Sequence, residues 1–389
     1  MTRPSIVMTA GGTGGHLFPA KSLAQELSWR GYAIDLITDT RSSKFDTGFP
    51  AREVYRVNAA TFKGRSPLEA TKTVAKLSSG FHMAYRILGE IKPSAVIGFG
   101  GYPTIPPMLA ALARGIPTLT HEQNAVMGRA NRLLGPMVRA VAYSFEDTKF
   151  LEGKLLHKAY LTGTPLRRAV LNMRTQVYNS PAPDGQLNLL VFGGSQGARF
   201  FAEMMPAALY LLPEHVRDRL LVVQQCREED IENVFDAYER AGVAAELATF
   251  FDDLPERMAT AHLVVSRSGA TTVAELCAIG RPAVLVPLPH SLDNDQYENA
   301  MRFERGGGGW CYEEGSMTPE RFAGVVRRLF EEPGSLIRAA SAAKTMARYD
   351  AVERLADVVE SVIEQKPSDE QAQIEEQERA EILSRDGGT

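Results

Sequence analysis

The feature that most limits the fold of this 389-residue chain is an echo of itself. Ile6-Val-Met-Thr-Ala-Gly-Gly-Thr-Gly-Gly15 opens the first half, and Leu189-Leu-Val-Phe-Gly-Gly-Ser-Gln-Gly197 opens the second, about 180 residues later. Each is a short apolar run of strand type that breaks into glycines and continues into a helical pattern. Such a start belongs to a doubly wound parallel sheet, and two of them at this spacing imply two Rossmann-like domains rather than one large sheet. The intervening runs agree. Residues 5–9, 33–38, 95–99, 117–121 and 138–143 read as strands, as do 187–192, 220–223, 263–266 and 283–286. Stretches of helical length separate several of them, which predicts α/β domains with helices on both sheet faces. The loop-rich stretch 172–186, with Asn179-Ser-Pro-Ala-Pro-Asp-Gly185, marks the boundary, so domains are expected at about 1–165 and 166–348. A ligand held between them would meet the carboxyl ends of both sheets.

Charge divides along the same line. Residues 1–165 carry 20 Lys and Arg against 11 Asp and Glu, whereas residues 166–365 carry 20 against 29. The whole-chain charge of −4 conceals this split. The three cysteines lie far apart with no C-x-x-C pair, which excludes zinc ribbons and thioredoxin-like redox motifs and fits a reducing compartment. The first apolar run is too short for a signal peptide. Residues 93–113 lack charge and are long enough to cross a bilayer. Their glycines and prolines, from Gly98 to Pro107, instead predict strand, tight loop and helix start. The tail 365–389 is rich in Glu, Gln, Asp and Ser and reads as disordered.

Four loops carry candidate chemistry. Gly11-Gly-Thr-Gly-Gly-His16 can bring backbone N–H groups against an anion or a sugar at a helix N-terminus. It is neither the dinucleotide fingerprint, whose last glycine would fall on Leu17, nor a Walker loop, since Ala20 stands where that loop needs glycine. His16 at its end is a candidate general base, with a structural loop histidine as the alternative. Gly193-Gly-Ser-Gln-Gly197 formally matches the hydrolase nucleophile elbow around Ser195, but hydrolases use one large sheet. Ser266-Arg-Ser-Gly-Ala-Thr-Thr-Val-Ala-Glu-Leu276 follows an apolar strand. Free N–H groups near Ala270 and Thr271 can cradle a diphosphate, and Glu275, one turn on, can accept two ribose hydroxyls. In Pro287–Asn299, Gln296 and Asn299 can face one pocket and bond sugar hydroxyls. Asp293-Asn-Asp295 has the form of a metal-binding D-x-D, although two acids in the first turn of a helix are expected from the helix dipole alone. Gly98-Phe-Gly-Gly-Tyr-Pro103 and His121-Glu-Gln-Asn124 complete the first domain, with Glu122 a second candidate base.

Pro67–Ile91 reads as a long helix, with Val74, Leu77, Phe81, Ala84, Leu88 and Ile91 as its core stripe. Met83, Tyr85 and Ile87 lie off that stripe, among Lys63, Arg65, Lys72, Lys76, Arg86 and Lys92. The alternatives are a solvated face and a surface for anionic lipid headgroups.

Taken in order, these loops resemble the MurG family of glycosyltransferases over about residues 1–363. The resemblance rests on Gly11 to His16, Gly100-Gly-Tyr102, His121 to Asn124, Gly163-Thr-Pro-Leu-Arg167, Gly193 to Ala198, Ser268-Gly-Ala-Thr-Thr272 with Glu275, and Asp295-Gln-Tyr-Glu-Asn-Ala300. It implies a GT-B fold, two Rossmann-like domains facing a cleft, with a C-terminal helix at about 349–363 crossing back onto the first domain. It also implies inverting transfer of GlcNAc from UDP-GlcNAc to undecaprenyl-diphospho-MurNAc-pentapeptide, with neither metal nor cofactor. By motif match, Ala270, Thr271, Thr272 and Glu275 would hold diphosphate and ribose, and Phe251 would meet the uracil through backbone. Ser195 and Arg167 would line the nucleotide pocket, while Thr13, Gly14, Gly15, Asn124 and Gln296 would meet the sugar and phosphates. His16 or Glu122 would be the base. The resemblance further implies a peripheral enzyme on the cytoplasmic face of the bacterial inner membrane. Anionic lipids and other cell-wall or division proteins would be its partners, and no nucleic acid. Family members often carry Gln or His where Asp295 stands, and Gln225-Cys-Arg227 replaces a usual Gln-x-Gly, so no role is assigned there. Another GT-B lipid glycosyltransferase and a UDP-GlcNAc epimerase remain alternatives.

Overall fold

A computed structural model describes residues 3–11, 13–39, 48–59, 67–194 and 199–364. The tail 365–389 and Ser195 lie outside the described residues. Strands β1 (Ser5–Thr9), β2 (Ala33–Thr38), β3 (Glu53–Arg56), β4 (Ala95–Gly98), β5 (Thr118–Glu122), β6 (Ala140–Tyr143) and β7 (Ala159–Leu161) form one sheet, in the order β3-β2-β1-β4-β5-β6-β7. Strands β8 (Leu187–Phe192), β9 (Leu220–Gln225), β10 (Ala244–Ala248), β11 (Leu263–Ser266), β12 (Ala283–Leu285) and β13 (Gly309–Cys311) form a second, ordered β10-β9-β8-β11-β12-β13. All pairings within both sheets are parallel. The chain therefore is α/β with two doubly wound parallel sheets. Strand order reverses between β1 and β4 and again between β8 and β11, which opens a crevice at the carboxyl end of each sheet. The glycine loops after β1 and β8 lead into those crevices.

The central strands are buried on both faces, which is why they read as continuous apolar runs. The reading from sequence missed β3, β7, β10 and β13. All four are sheet edges, and β3 and β10 mix exposed and half-buried residues with no apolar run to mark them. In β13, a Cβ on Gly309 would lie 2.0 Å from the Ala283 carbonyl oxygen, so that edge admits only glycine there. Residues 93–113 form β4, a tight turn and the helix Ile105–Ala113. Among the described residues no helix is long and apolar enough to cross a membrane.

Each sheet has an apolar layer on either face. The helix Ala351–Glu364 packs into the first domain, where Leu355, Ala356, Val359 and Val362 join Leu17, Leu23 and Leu27 of the helix Gly14–Trp29. Arg30 fastens the two by bonds of 2.7 Å to both Asp357 and Glu360. On the helix Pro67–Ile91, Ala84 and Leu88 are buried and Leu77, Phe81 and Ile91 half-buried. Val74, placed in the core stripe by its spacing, is 57% exposed. Met83 and Tyr85 on the same helix are also exposed, as are Lys76 and Arg86.

Candidate active site

In the first domain, two glycine loops are stitched together before any side chain is considered. The Gly11 N–H donates to the Gly100 carbonyl at 3.0 Å, and Gly100 and Gly101 have φ of +87° and +81°. Such angles favour glycine, and the close approach leaves the N-terminus of the helix Gly14–Trp29 open to the cleft. Thr13 is its N-cap residue, yet no side chain caps the helix. In the second domain the helix Ala270–Ile279 starts at Gly269, again without a side-chain cap. The two starts meet across the cleft, where the Thr271 hydroxyl lies 3.5 Å from the Gly15 carbonyl oxygen. Uncapped N–H groups at two apposed N-termini make a place for negative charge, each dipole adding about 0.3–2 kcal/mol.

A cavity of about 770 Å³ lies there. Thr13, Gly14, Gly15, His16, Asn124, Arg167, Phe251, Ala270, Thr271, Thr272, Glu275 and Gln296 all line it. A second cavity of about 790 Å³, on the first-domain side, adds Gly100, Tyr102, Glu122 and Asn131. His16, Asn124 and Asp295 line both. The structure thus brings together every described residue nominated for donor binding. Gln225 and Arg227, to which the sequence assigned no role, line both cavities as well. Arg267 was also missed. It is 7% exposed and joins Glu314 at 2.5 Å and the Val286 and Pro287 carbonyls at the cavity wall.

Local electrostatics separate the carboxylates. Glu275 is buried, which pushes its carboxyl up, while Arg167 pulls it back toward ionisation. Arg167 Nε and Nη2 sit 2.9 and 2.7 Å from Glu275 Oε1. Glu122 ends β5 rather than lying on a loop, and it is 2% exposed. Oε1 accepts from the Asn124 N–H at 2.9 Å, and Oε2 from the Gly128 N–H and Asn131 Nδ2, both at 2.8 Å. Burial raises its pKa and these donors oppose the rise. A carboxylate so engaged organises the loop 122–131 and has little capacity left for a substrate proton. Burial also pushes up Asp295, whose Oδ1 accepts from the Gln296 N–H at 2.7 Å.

Asn299, expected to face a sugar, and Asp293 of the D-x-D sequence both join the domains instead. Asn299 is fully buried, and its Oδ1 accepts from the Ala125 N–H at 2.8 Å. Its Nδ2 donates to Asn124 Oδ1 and to the Ser268 carbonyl, each at 3.0 Å. Asn299 therefore holds the cleft together and is not free for a sugar hydroxyl. Asp293 pairs with Arg129 at 3.1 Å and with Arg132, both from the first domain. Among the described residues no group of three or more His, Cys, Asp or Glu is placed to hold a metal ion. Asn299→Ala strands the Ala125 N–H and the Ser268 carbonyl. A loss of about 2–4 kcal/mol follows, to be read as an earlier denaturant midpoint. An unchanged midpoint would remove Asn299 from the domain contact.

Two apposed Rossmann-like sheets with uncapped helix N-termini facing a shared cleft define the GT-B fold. Residues 6–143 match the glycosyltransferase family 28 N-terminal domain and residues 188–355 the family 28 C-terminal domain. A relative from Rhodopseudomonas palustris, "UDP-N-acetylglucosamine--N-acetylmuramyl-(pentapeptide) pyrophosphoryl-undecaprenol N-acetylglucosamine transferase", is 49% identical over 92% of this chain and 97% of its own. One of the same name from Paramagnetospirillum magneticum is 48% identical over 93% and 97%. The crystal structure of Acinetobacter baumannii MurG superposes with a TM-score of 0.74 at 28% identity, covering 92% of this chain and all of that one. The chain belongs to the MurG family of the family 28 glycosyltransferases. The calicheamicin glycosyltransferase CalG4, at 17% identity and a TM-score of 0.64, shares the fold.

Proposed function

We propose that the chain transfers N-acetylglucosamine from UDP-GlcNAc to the 4-hydroxyl of MurNAc in undecaprenyl-diphospho-MurNAc-pentapeptide, converting lipid I to lipid II in peptidoglycan synthesis. The observation that carries this reading is the near-full-length likeness to relatives named for that transfer. The cavity supplies the chemistry. The donor diphosphate lies between the two uncapped helix starts, on Ala270, Thr271 and Thr272 and against Gly14 and Gly15. Glu275, oriented by Arg167, accepts the ribose hydroxyls, and the Phe251 backbone meets the uracil. Thr13, Asn124 and Gln296 hold the sugar. The acceptor enters from the first-domain cavity. Its 4-hydroxyl gives its proton to His16 and forms a bond to C1 as the bond from C1 to the diphosphate oxygen breaks. The helix dipole at Ala270 stabilises the departing charge.

The assay is transfer of labelled GlcNAc to a short-chain lipid I analogue. We expect acceptor-dependent labelled lipid and UDP. A UDP-GlcNAc epimerase of the same fold would release monosaccharide with no acceptor present. Another lipid glycosyltransferase would prefer a different member of an acceptor panel. Either outcome overturns the assignment.

The enzyme acts as a peripheral protein on the cytoplasmic face of the inner membrane, its cationic first half toward anionic lipid. The exposed apolar Val74 and Met83 and basic Lys76 and Arg86 on one helix of that half support this reading. Each basic residue near the surface contributes about 1 kcal/mol. Neutralising Lys72, Lys76 and Arg86 together weakens binding to anionic vesicles about 100-fold and leaves UDP affinity unchanged. Retained vesicle binding in a sedimentation assay would assign the charge asymmetry another cause.

A further inference from the structure

A chain of hydrogen bonds runs from His16 into the first-domain core and ends on a backbone carbonyl. His16 Nδ1 lies 3.2 Å from Gln123 Oε1. Gln123 Nε2 lies 2.9 Å from His121 Nδ1 and 3.1 Å from the His121 carbonyl oxygen. His121 Nε2 lies 2.9 Å from the Gly163 carbonyl oxygen. Gln123 is 2% exposed and His121 is sealed from solvent.

The far end dictates every proton. A carbonyl oxygen only accepts, so His121 Nε2 carries a hydrogen and donates it to Gly163. Burial lowers the His121 pKa to about 4, so the ring is neutral and its Nδ1 can only accept. The group of Gln123 facing that nitrogen must then donate, and a second acceptor, the His121 carbonyl, lies on the same group. That fixes the amide with its NH₂ toward His121 and its oxygen toward His16. An amide oxygen only accepts, so His16 Nδ1 must carry the hydrogen. The lone pair of the neutral His16 ring is thereby left on Nε2.

We infer that Gln123, held by His121, is a positioning residue that locks His16 in its Nδ1–H tautomer, with Nε2 the nitrogen that takes the acceptor proton. This rests on the reading of His16 as base. An amide suits the task. It fixes the tautomer and orientation of the ring and puts no second negative charge beside a departing diphosphate. The role parallels that of the third member of a catalytic triad, filled here by a neutral group.

The test is tautomer assignment by long-range ¹H–¹⁵N correlation on the full-length protein labelled with ¹⁵N-histidine, His16 being assigned by comparison with His16→Ala. We expect a protonated Nδ1 and an unprotonated Nε2 on His16, and the reverse on His121. In Gln123→Met, of similar volume, His16 loses that signature and kcat falls by about 10–100-fold, with KM for UDP-GlcNAc within twofold. Gln123→Glu restores an acceptor, the Nδ1–H signature and part of kcat, which a purely structural role would not. A protonated Nε2 on wild-type His16, or an unchanged signature in Gln123→Met, overturns the inference. The wild-type spectrum decides even if Gln123→Met does not fold. If the signature is present but His16→Ala keeps full turnover, the lock stands and the base assignment falls.

Discussion

Replacing His16 with alanine lowers single-turnover GlcNAc transfer by about 10²–10⁴-fold, the range a general base contributes, with little change in KM for UDP-GlcNAc. The reasoning is positional. His16 lies in the first turn of the helix Gly14–Trp29, just past the Gly11–Gly100 stitch, and lines both cavities. A proton acceptor for an acceptor hydroxyl must touch both the donor sugar and the incoming lipid, and His16 is placed where the two cavities meet. Its ring is braced on one nitrogen by Gln123, so the side chain needs no rearrangement to act. The structure should tolerate the substitution, since His16 is only half-buried and its polar contact is with one amide. A variant with wild-type melting and near-wild-type turnover would place the base elsewhere.

Glu122→Gln gives the opposite pattern. The wild-type carboxylate takes N–H donors on both oxygens, from Asn124, Gly128 and Asn131. Asn124 Nδ2 adds a longer contact to Oε1 at 3.3 Å. A glutamine must turn its NH₂ group toward donors on one side or the other. Two buried N–H groups then lose their acceptor, at about 1–3 kcal/mol each. We expect a loss of about 2–5 kcal/mol. At about 2–4 °C per kcal/mol for domains of this size, the melting temperature falls by roughly 5–20 °C. Transfer measured well below that temperature falls far less than in His16→Ala. The pair of variants separates the two candidate bases, because one loses rate without stability and the other stability with much less rate. If Glu122→Gln melts as wild type and loses transfer a hundredfold, Glu122 is the base.

The contrast also explains what could be read from the sequence. Strands such as β1, β8 and β11 were legible because burial on both faces demands unbroken apolar runs. The glycine loops were legible because the positive φ of Gly100 and Gly101 favours glycine where the two loops meet, and residues of both line the cleft cavities. Edge strands such as β10 were not, since half-exposed residues carry no such signature. The role of Asn299 was hidden for a different reason. Its spacing from Gln296 fits one pocket, but its partners Asn124 and Ala125 lie about 175 residues away. Glu122 was recognisable as a carboxylate at a strand end. That its oxygens were already committed depended on the fold of residues 124–131. Asp293 was legible as an acid near a helix start, but its pairing with two arginines of the other domain depends on how the two domains meet.

The central claim is a single displacement at C1, with donor on the second domain and acceptor hydroxyl at His16. The most direct measurement is the configuration at C1 in the product made from UDP-GlcNAc labelled with ¹³C at C1 and a short-chain lipid I analogue. The C1 coupling constants read it by NMR. The account predicts transfer to the MurNAc 4-hydroxyl with C1 inverted relative to the donor. Retention at C1, or attachment at any other hydroxyl, would contradict it.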